Sequence, residues 1–112
     1  MCGRRTLINS KESIVEELKI DEWSIKDYKP SYNIAPTHHS PVLITTNGKR
    51  IATPMKWGLI PSWSKNDSFA SKMINARSES ITEKSSYKNL IFQNRCIIIS
   101  NGYYEWSKKK KM

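Results

Sequence analysis

The stretch PVLITTNGKRIATPMKW, residues 41–57, limits what this chain can become more than any other. Two runs rich in apolar and β-branched residues flank Asn47-Gly48. Both central positions of a tight two-residue turn need positive φ, and Asn-Gly supplies them at the least steric cost. The stretch therefore reads as a β-hairpin, with PVLITT as one strand and KRIATPMKW as its return. Pro54 has no N–H to give to a ladder, so it marks an edge or a bulge in the return strand. Around that hairpin, 112 residues leave room for one small domain with a modest core.

The flanks are organised differently. Asn9-Ser10-Lys11-Glu12 reads as a helix start, with Asn9 as the cap and Glu12 three residues on. Ile14, Val15 and Leu18 form one apolar stripe, so a helix of about ten residues should end before Asp21. In DYKPSYNIAPTHHSP, Pro30, Pro36 and Pro41 forbid a helix and favour extended chain. GLIPSWSKNDS reads as a loop with Trp63 exposed. FASKMINARSES leads towards a short helix near Tyr87 to Phe92. RCIII reads as a buried strand. Asn101-Gly102 is a second hairpin signal, with YYEW as its return strand. The sum is an α+β domain with mostly antiparallel pairing.

The net charge is +9, from 19 Lys and Arg against 10 Asp and Glu. Four of these charges are the run Lys108 to Lys111, and the rest is still basic. A basic surface suits phosphate-bearing partners, because Lys and Arg release counterions from nucleic acid. A lysine-rich solvated face gives the same balance. Hydrophobic residues make up only 38%, partly offset by four Trp and five Tyr, each of which buries a large area. Two cysteines, Cys2 and Cys96, form no CxxC. His38 and His39 are adjacent, and neighbours on a strand point to opposite faces. No metal site and no cofactor are therefore expected. The start has no apolar run of the kind a signal peptide needs, and no stretch reaches transmembrane length. These features point to the cytoplasm, reduced thiols and no membrane partner.

Cys2 is the first residue with chemistry to offer. If Met1 is removed, Cys2 becomes a 1,2-aminothiol, with an amine pKa of about 8 and a thiol pKa of about 8.5. An aldehyde condenses with such an amine to an imine, and the thiol then closes a thiazolidine ring. With Met1 retained there is no free amine and no ring. The other reading of Cys2 is a small apolar residue tucked under a sheet. Glu105, between aromatics in YYEW, is an acid/base candidate if it faces inward and ordinary surface if it faces outward. Asn75, Arg77 and Glu79 alternate in NARSE and either line a cleft or face solvent. Trp57, Trp63 and Trp106 offer planes on which bases stack, although burial is the usual role of at least two of three such residues.

MCGRR, YNIAPT, MKWGLIPSW, INARSES and RCIIISNGYYEW occur in this order, from residue 2 to Trp106. At these spacings the chain resembles the SOS-response-associated peptidase (SRAP) family. The resemblance implies a barrel-like, mostly antiparallel fold with flanking helices. It makes residues 1–112 the N-terminal part of a single SRAP domain, whose C-terminal half or a second chain would complete the sheet. It implies action on abasic sites in single-stranded DNA. The N-terminal cysteine, Cys2, would form a thiazolidine with the ring-opened sugar, shielding the lesion. Asn75 and Glu105 match the family's active-site asparagine and glutamate. Arg4 and Arg77 match residues that hold the DNA backbone. Asn33 and Pro36, in NIAP, match a loop beside the cleft, and Trp63 lies in a loop that resembles the element that supports or contacts the DNA strand. The family's active-site histidine belongs to the later half, and no motif gives His38 or His39 that role.

Two other functions stand beside this one. A thiol peptidase would use Cys2 as an N-terminal nucleophile, as the family name proposes, if only to release its own leader. A non-enzymatic module would bind single-stranded DNA with Cys2 purely structural.

Overall fold

Ser10 is extended, and its hydroxyl accepts the N–H of Ser13 at 3.2 Å. That bond starts the helix α1, Lys11–Leu18, with Glu12 in the first turn against its positive end. The cap is therefore one residue later than the sequence suggests. Asn9 instead donates from its side chain to the Ser13 hydroxyl at 3.4 Å. Lys19 turns left-handed at φ 53° and donates to the carbonyls of Val15 and Glu16, which ends α1 after eight residues. Ile14 is buried and Val15 and Leu18 pack beside it, so the expected stripe is the one that docks. The computed structural model in which these elements are seen describes residues 2–66, 68 and 70–107.

The strands are β1 (Arg5–Leu7), β2 (Glu22–Trp23), β3 (Ser31–Ile34), β4 (His39–Thr46), β5 (Lys49–Lys56), β6 (Ile97–Ile98) and β7 (Gly102–Tyr103). β4 and β5 form the hairpin read from the sequence, with Asn47 at φ 52° and Gly48 at φ 77°. A two-residue turn makes Thr46 and Lys49 a hydrogen-bonded pair, and bonded and non-bonded pairs then alternate. Pro41 and Pro54 face each other at a non-bonded position, where neither owes its partner an N–H. β2 joins β5 in parallel at Ile51 and Ala52, short of Pro54, so the proline sits where β5 is an edge. All other pairings are antiparallel.

There are two sheets, ordered β3-β1-β7 and β2-β5-β4-β6. The α+β, mostly antiparallel expectation holds, with one α-helix among the described residues. The barrel does not: the two sheets stay separate. One core lies where they meet. It joins Leu7 and Ile34 to Leu43, Ala52, Trp57 and Ile99, with Ile14 and Ile20 from the α1 region. The described residues contain no helix long and apolar enough to cross a membrane.

Four further expectations fail. Residues 84–94 form successive turns rather than a helix. Their N–H groups divide between partners three back, as in Leu90 to Tyr87, and four back, as in Ile91 to Tyr87. Such a short piece cannot repay helix nucleation. Asn75, Arg77 and Glu79 lie on no strand, so alternation does not order them. Asn101-Gly102 makes no hairpin, because neither residue takes positive φ. Asn101 is drawn to the first strand instead: its N–H donates to Thr6 at 2.8 Å and its side chain accepts from Ile8 at 2.6 Å. β6 and β7 thus enter different sheets. Of RCIII only Ile99 is buried, while Ile97 and Ile98 are 62% and 47% exposed on the outermost strand.

Candidate functional site

The chain runs into β1 through Cys2, Gly3 and Arg4. Cys2 is half-buried and packs against the core. Its thiol lies 3.7 Å from the Arg4 carbonyl. That carbonyl also accepts the N–H of Tyr104 at 2.9 Å, so β7 holds the N-terminal segment down. Arg4 is exposed, its guanidinium turned back on the Gly3 carbonyl at 2.8 Å.

Arg5 points the other way, between the sheets. It is 6% exposed and donates to the hydroxyls of Ser40 and Ser100 at 2.8 and 2.7 Å. Its guanidinium carbon lies 4.6 Å from the centroid of Trp57, a cation–π contact. Burial pushes the Arg5 guanidinium below its ordinary range. A single sequence carries no signal for this arrangement, because Arg5 reads as one more surface cation.

The link to the rest of the site is Asn75. Its side-chain amide donates to the Cys2 carbonyl at 2.9 Å. The segment WGLIP brings it there. Trp57 donates its indole N–H to the Ile74 carbonyl at 3.2 Å, and Leu59 donates to Met73 at 2.9 Å. Gly58, at φ 128°, lies so close to the Ala70 carbonyl that no Cβ fits. On the far side, the Tyr87 hydroxyl donates to the Asn75 carbonyl at 3.3 Å. Asn75 is therefore held from both sides, with its amide on the Cys2 carbonyl.

Asn75 also lines an open cleft of about 600 Å³ with Trp63, Arg77, Lys72, Lys84 and Tyr87. The structure thus brings together Cys2, Asn75, Arg77 and Trp63 of the expected residues. Arg4 lies beside Cys2 in the chain but outside the cleft lining, and the others are not brought in. Asn33 is exposed on β3, and Pro36 is half-buried in the following turn; neither lines the cleft. Glu105 is exposed beyond β7 and also lies outside the lining, so the inward reading of its carboxylate fails here. Of the three tryptophans considered, only Trp57 is buried; Trp63 and Trp106 are 57% and 76% exposed. His38 accepts the Ala35 N–H on its ring nitrogen at 3.1 Å and so closes a turn. Lys72, Lys84 and Tyr87 are site residues that the sequence did not single out. Met1 and the lysine run 108–111 lie outside the described residues.

The sequence model of the family described as SOS response associated peptidase (SRAP) matches residues 1–112. The chain belongs to this SRAP family. It is 39% identical over 109 residues to the abasic site processing protein YoaM of Bacillus subtilis, covering 96% of this chain and 48% of that relative. It is 40% identical over 95 residues to the abasic site processing protein HMCES of Xenopus tropicalis, covering 73% of this chain and 28% of that one. A crystal structure of a Bordetella bronchiseptica protein superposes with a TM-score of 0.72 at 21% identity, over 93% of this chain and 50% of that chain. That likeness concerns the fold. This SRAP chain spans about half the length of the Bacillus relative.

Proposed function

We propose that this chain recognises abasic sites in single-stranded DNA and bonds to them covalently through Cys2. The observation that carries the reading is the Asn75 amide on the Cys2 carbonyl, which joins residues 73 positions apart beside a basic cleft. The names of the Bacillus and Xenopus relatives support the substrate class.

The chemistry follows from an N-terminal aminothiol. Removal of Met1 frees the Cys2 amine, which adds to the sugar aldehyde and expels water as the imine forms. The thiol then adds across the C=N bond. A carbon–sulfur bond forms, and the thiol proton ends on nitrogen. Half-burial of Cys2 limits access by bulk solvent, and Asn75 fixes the backbone that carries both nucleophiles. Arg77 supplies salt-sensitive affinity, and Trp63 offers a plane for a neighbouring base. We assign Glu105 the proton transfers that open the closed sugar, which requires the segment after β7 to turn towards Cys2 when DNA is bound. This activity belongs in the cytoplasm, where thiols stay reduced.

Intact-mass spectrometry after incubation with an oligonucleotide carrying one abasic site tests the reading. An adduct of oligonucleotide mass less one water, lost in Cys2→Ala and not trapped stably in Cys2→Ser, is expected. No adduct from chains lacking Met1 would overturn it. Cleavage of a peptide in trans, lost in Cys2→Ala, would establish the peptidase reading instead.

A further inference from the structure

The cleft beside Asn75 holds more positive charge than the family resemblance assigns to it. Arg77 is joined there by Lys72 and Lys84. Among the described residues that line the cleft, none carries a carboxylate. The backbone fixes where these cations sit. Lys72 precedes Met73, whose carbonyl accepts the Leu59 N–H at 2.9 Å. Ser80 donates its N–H to the Arg77 carbonyl at 3.2 Å, and its own carbonyl accepts the Lys84 N–H at 3.0 Å. The Lys84 carbonyl in turn accepts from Tyr87 at 3.0 Å and Lys88 at 2.9 Å. Two turns thus connect Arg77 to Lys84, and Lys72 comes from the other side of Asn75.

We propose that Lys72 and Lys84 are phosphodiester-binding residues that seat the DNA flanking the abasic site in this cleft. The proposal rests on the abasic-DNA reading above and deepens it. Cations alone would suit any anion. Here they surround an opening that also presents the 57%-exposed indole of Trp63 and the ring of Tyr87. Charged groups for a backbone, with aromatic planes for bases, are the combination that single-stranded nucleic acid requires. A lesion without a base offers nothing to read at its own position, so the neighbouring phosphates must supply the hold. The cleft adjoins the Asn75 amide that holds Cys2, so phosphates seated there place the lesion next to the nucleophile.

The test is fluorescence anisotropy of a single-stranded oligonucleotide carrying a tetrahydrofuran abasic analogue, which has no aldehyde and cannot be bonded covalently. Affinity is measured across a range of salt for the chain, Lys72→Ala, Lys84→Ala, the double variant and Lys49→Ala. Lys49 begins β5 at the hairpin turn and is outside the cleft. Each phosphate contact on a single strand contributes about 0.7 to the slope of log K against log salt. Each cleft variant should shrink the slope by about 0.7 and weaken binding several-fold at low salt, and the double variant by about twice that in slope. Lys49→Ala should leave both unchanged. Unaltered slopes in the cleft variants, with wild-type binding intact, would overturn this proposal and leave the function standing. Absence of any wild-type binding would overturn both. Circular dichroism confirms that each variant is folded; both lysines are exposed, so their loss leaves the core intact.

Discussion

The side-chain amide of Asn75 rests 2.9 Å from the main-chain carbonyl of Cys2, and the Tyr87 hydroxyl holds Asn75 by its own carbonyl. Cys2 is therefore positioned from outside the strand it leads into.

Replacing Asn75 with Ala removes the donor and leaves the Cys2 carbonyl to solvent. Asn75 is exposed, so stability should change by less than about 1 kcal/mol. The rate of adduct formation should fall on the order of tenfold to a hundredfold, because the nucleophile is no longer held in place. Asn75→Asp should behave alike, since a carboxylate cannot donate. Single-turnover kinetics by mass spectrometry give the rate, and a thermal melt gives the stability. An unchanged rate in both variants would remove Asn75 from the reaction.

Arg5 holds the sheets together through two hydroxyls and one indole face. Arg5→Lys keeps the charge but loses the planar fork that reaches both serines, and should destabilise by about 1–3 kcal/mol. Arg5→Met removes the charge while filling the space, and should be close to neutral or stabilising. Urea unfolding midpoints decide. A Lys variant as stable as wild type would show that the paired serine contacts contribute nothing.

Gly58 combines φ 128° with an Ala70 carbonyl where a Cβ would stand. Gly58→Ala should cost at least about 2 kcal/mol, from backbone strain and overpacking together. The same change should slow adduct formation, because Trp57 and Leu59 on either side hold the segment that carries Asn75. Chemical denaturation and adduct kinetics on one preparation test both effects.

Burial raises the Tyr28 phenol above its ordinary range, while the hydroxyl donates to the Asn9 carbonyl at 2.6 Å. The folded state therefore keeps this proton longer than the unfolded chain does. Stability should be flat below about pH 10 and fall as pH rises from the unfolded value through the folded one. Tyr28→Phe should be less stable at neutral pH and lack that part of the alkaline loss. Equal alkaline profiles for the two proteins would exclude Tyr28 as a source.

The hairpin of β4 and β5 and the stripe of α1 were legible because local rules suffice for them: Asn47-Gly48 needs no distant partner, and Ile14, Val15 and Leu18 share a face by periodicity alone. Asn101-Gly102 carries the same turn signal and fails, because Thr6 and Ile8 offer its backbone and side chain better bonds. No local rule sees residues more than 90 positions away. The site divides the same way. Cys2 draws notice as a potential aminothiol, but its link to Asn75 came through the family resemblance. The buried position of Arg5 depends on Ser40, Trp57 and Ser100 together. The acid/base role suggested for Glu105 assumed strand alternation, and the strand ends at Tyr103.

Arg5 pairs with Tyr103. β1 thus pairs with a strand almost a hundred positions later and cannot gain that outer neighbour until it exists. Contacts so distant in sequence form late, since closing long loops costs entropy that only nearby structure can offset. The hairpin of β4 and β5 needs no such wait. The surroundings of Cys2, with its Arg4 carbonyl bonded to Tyr104, are accordingly among the last parts of the molecule to be assembled. The segment that carries Cys2 thus lacks its β7 neighbour until that late step.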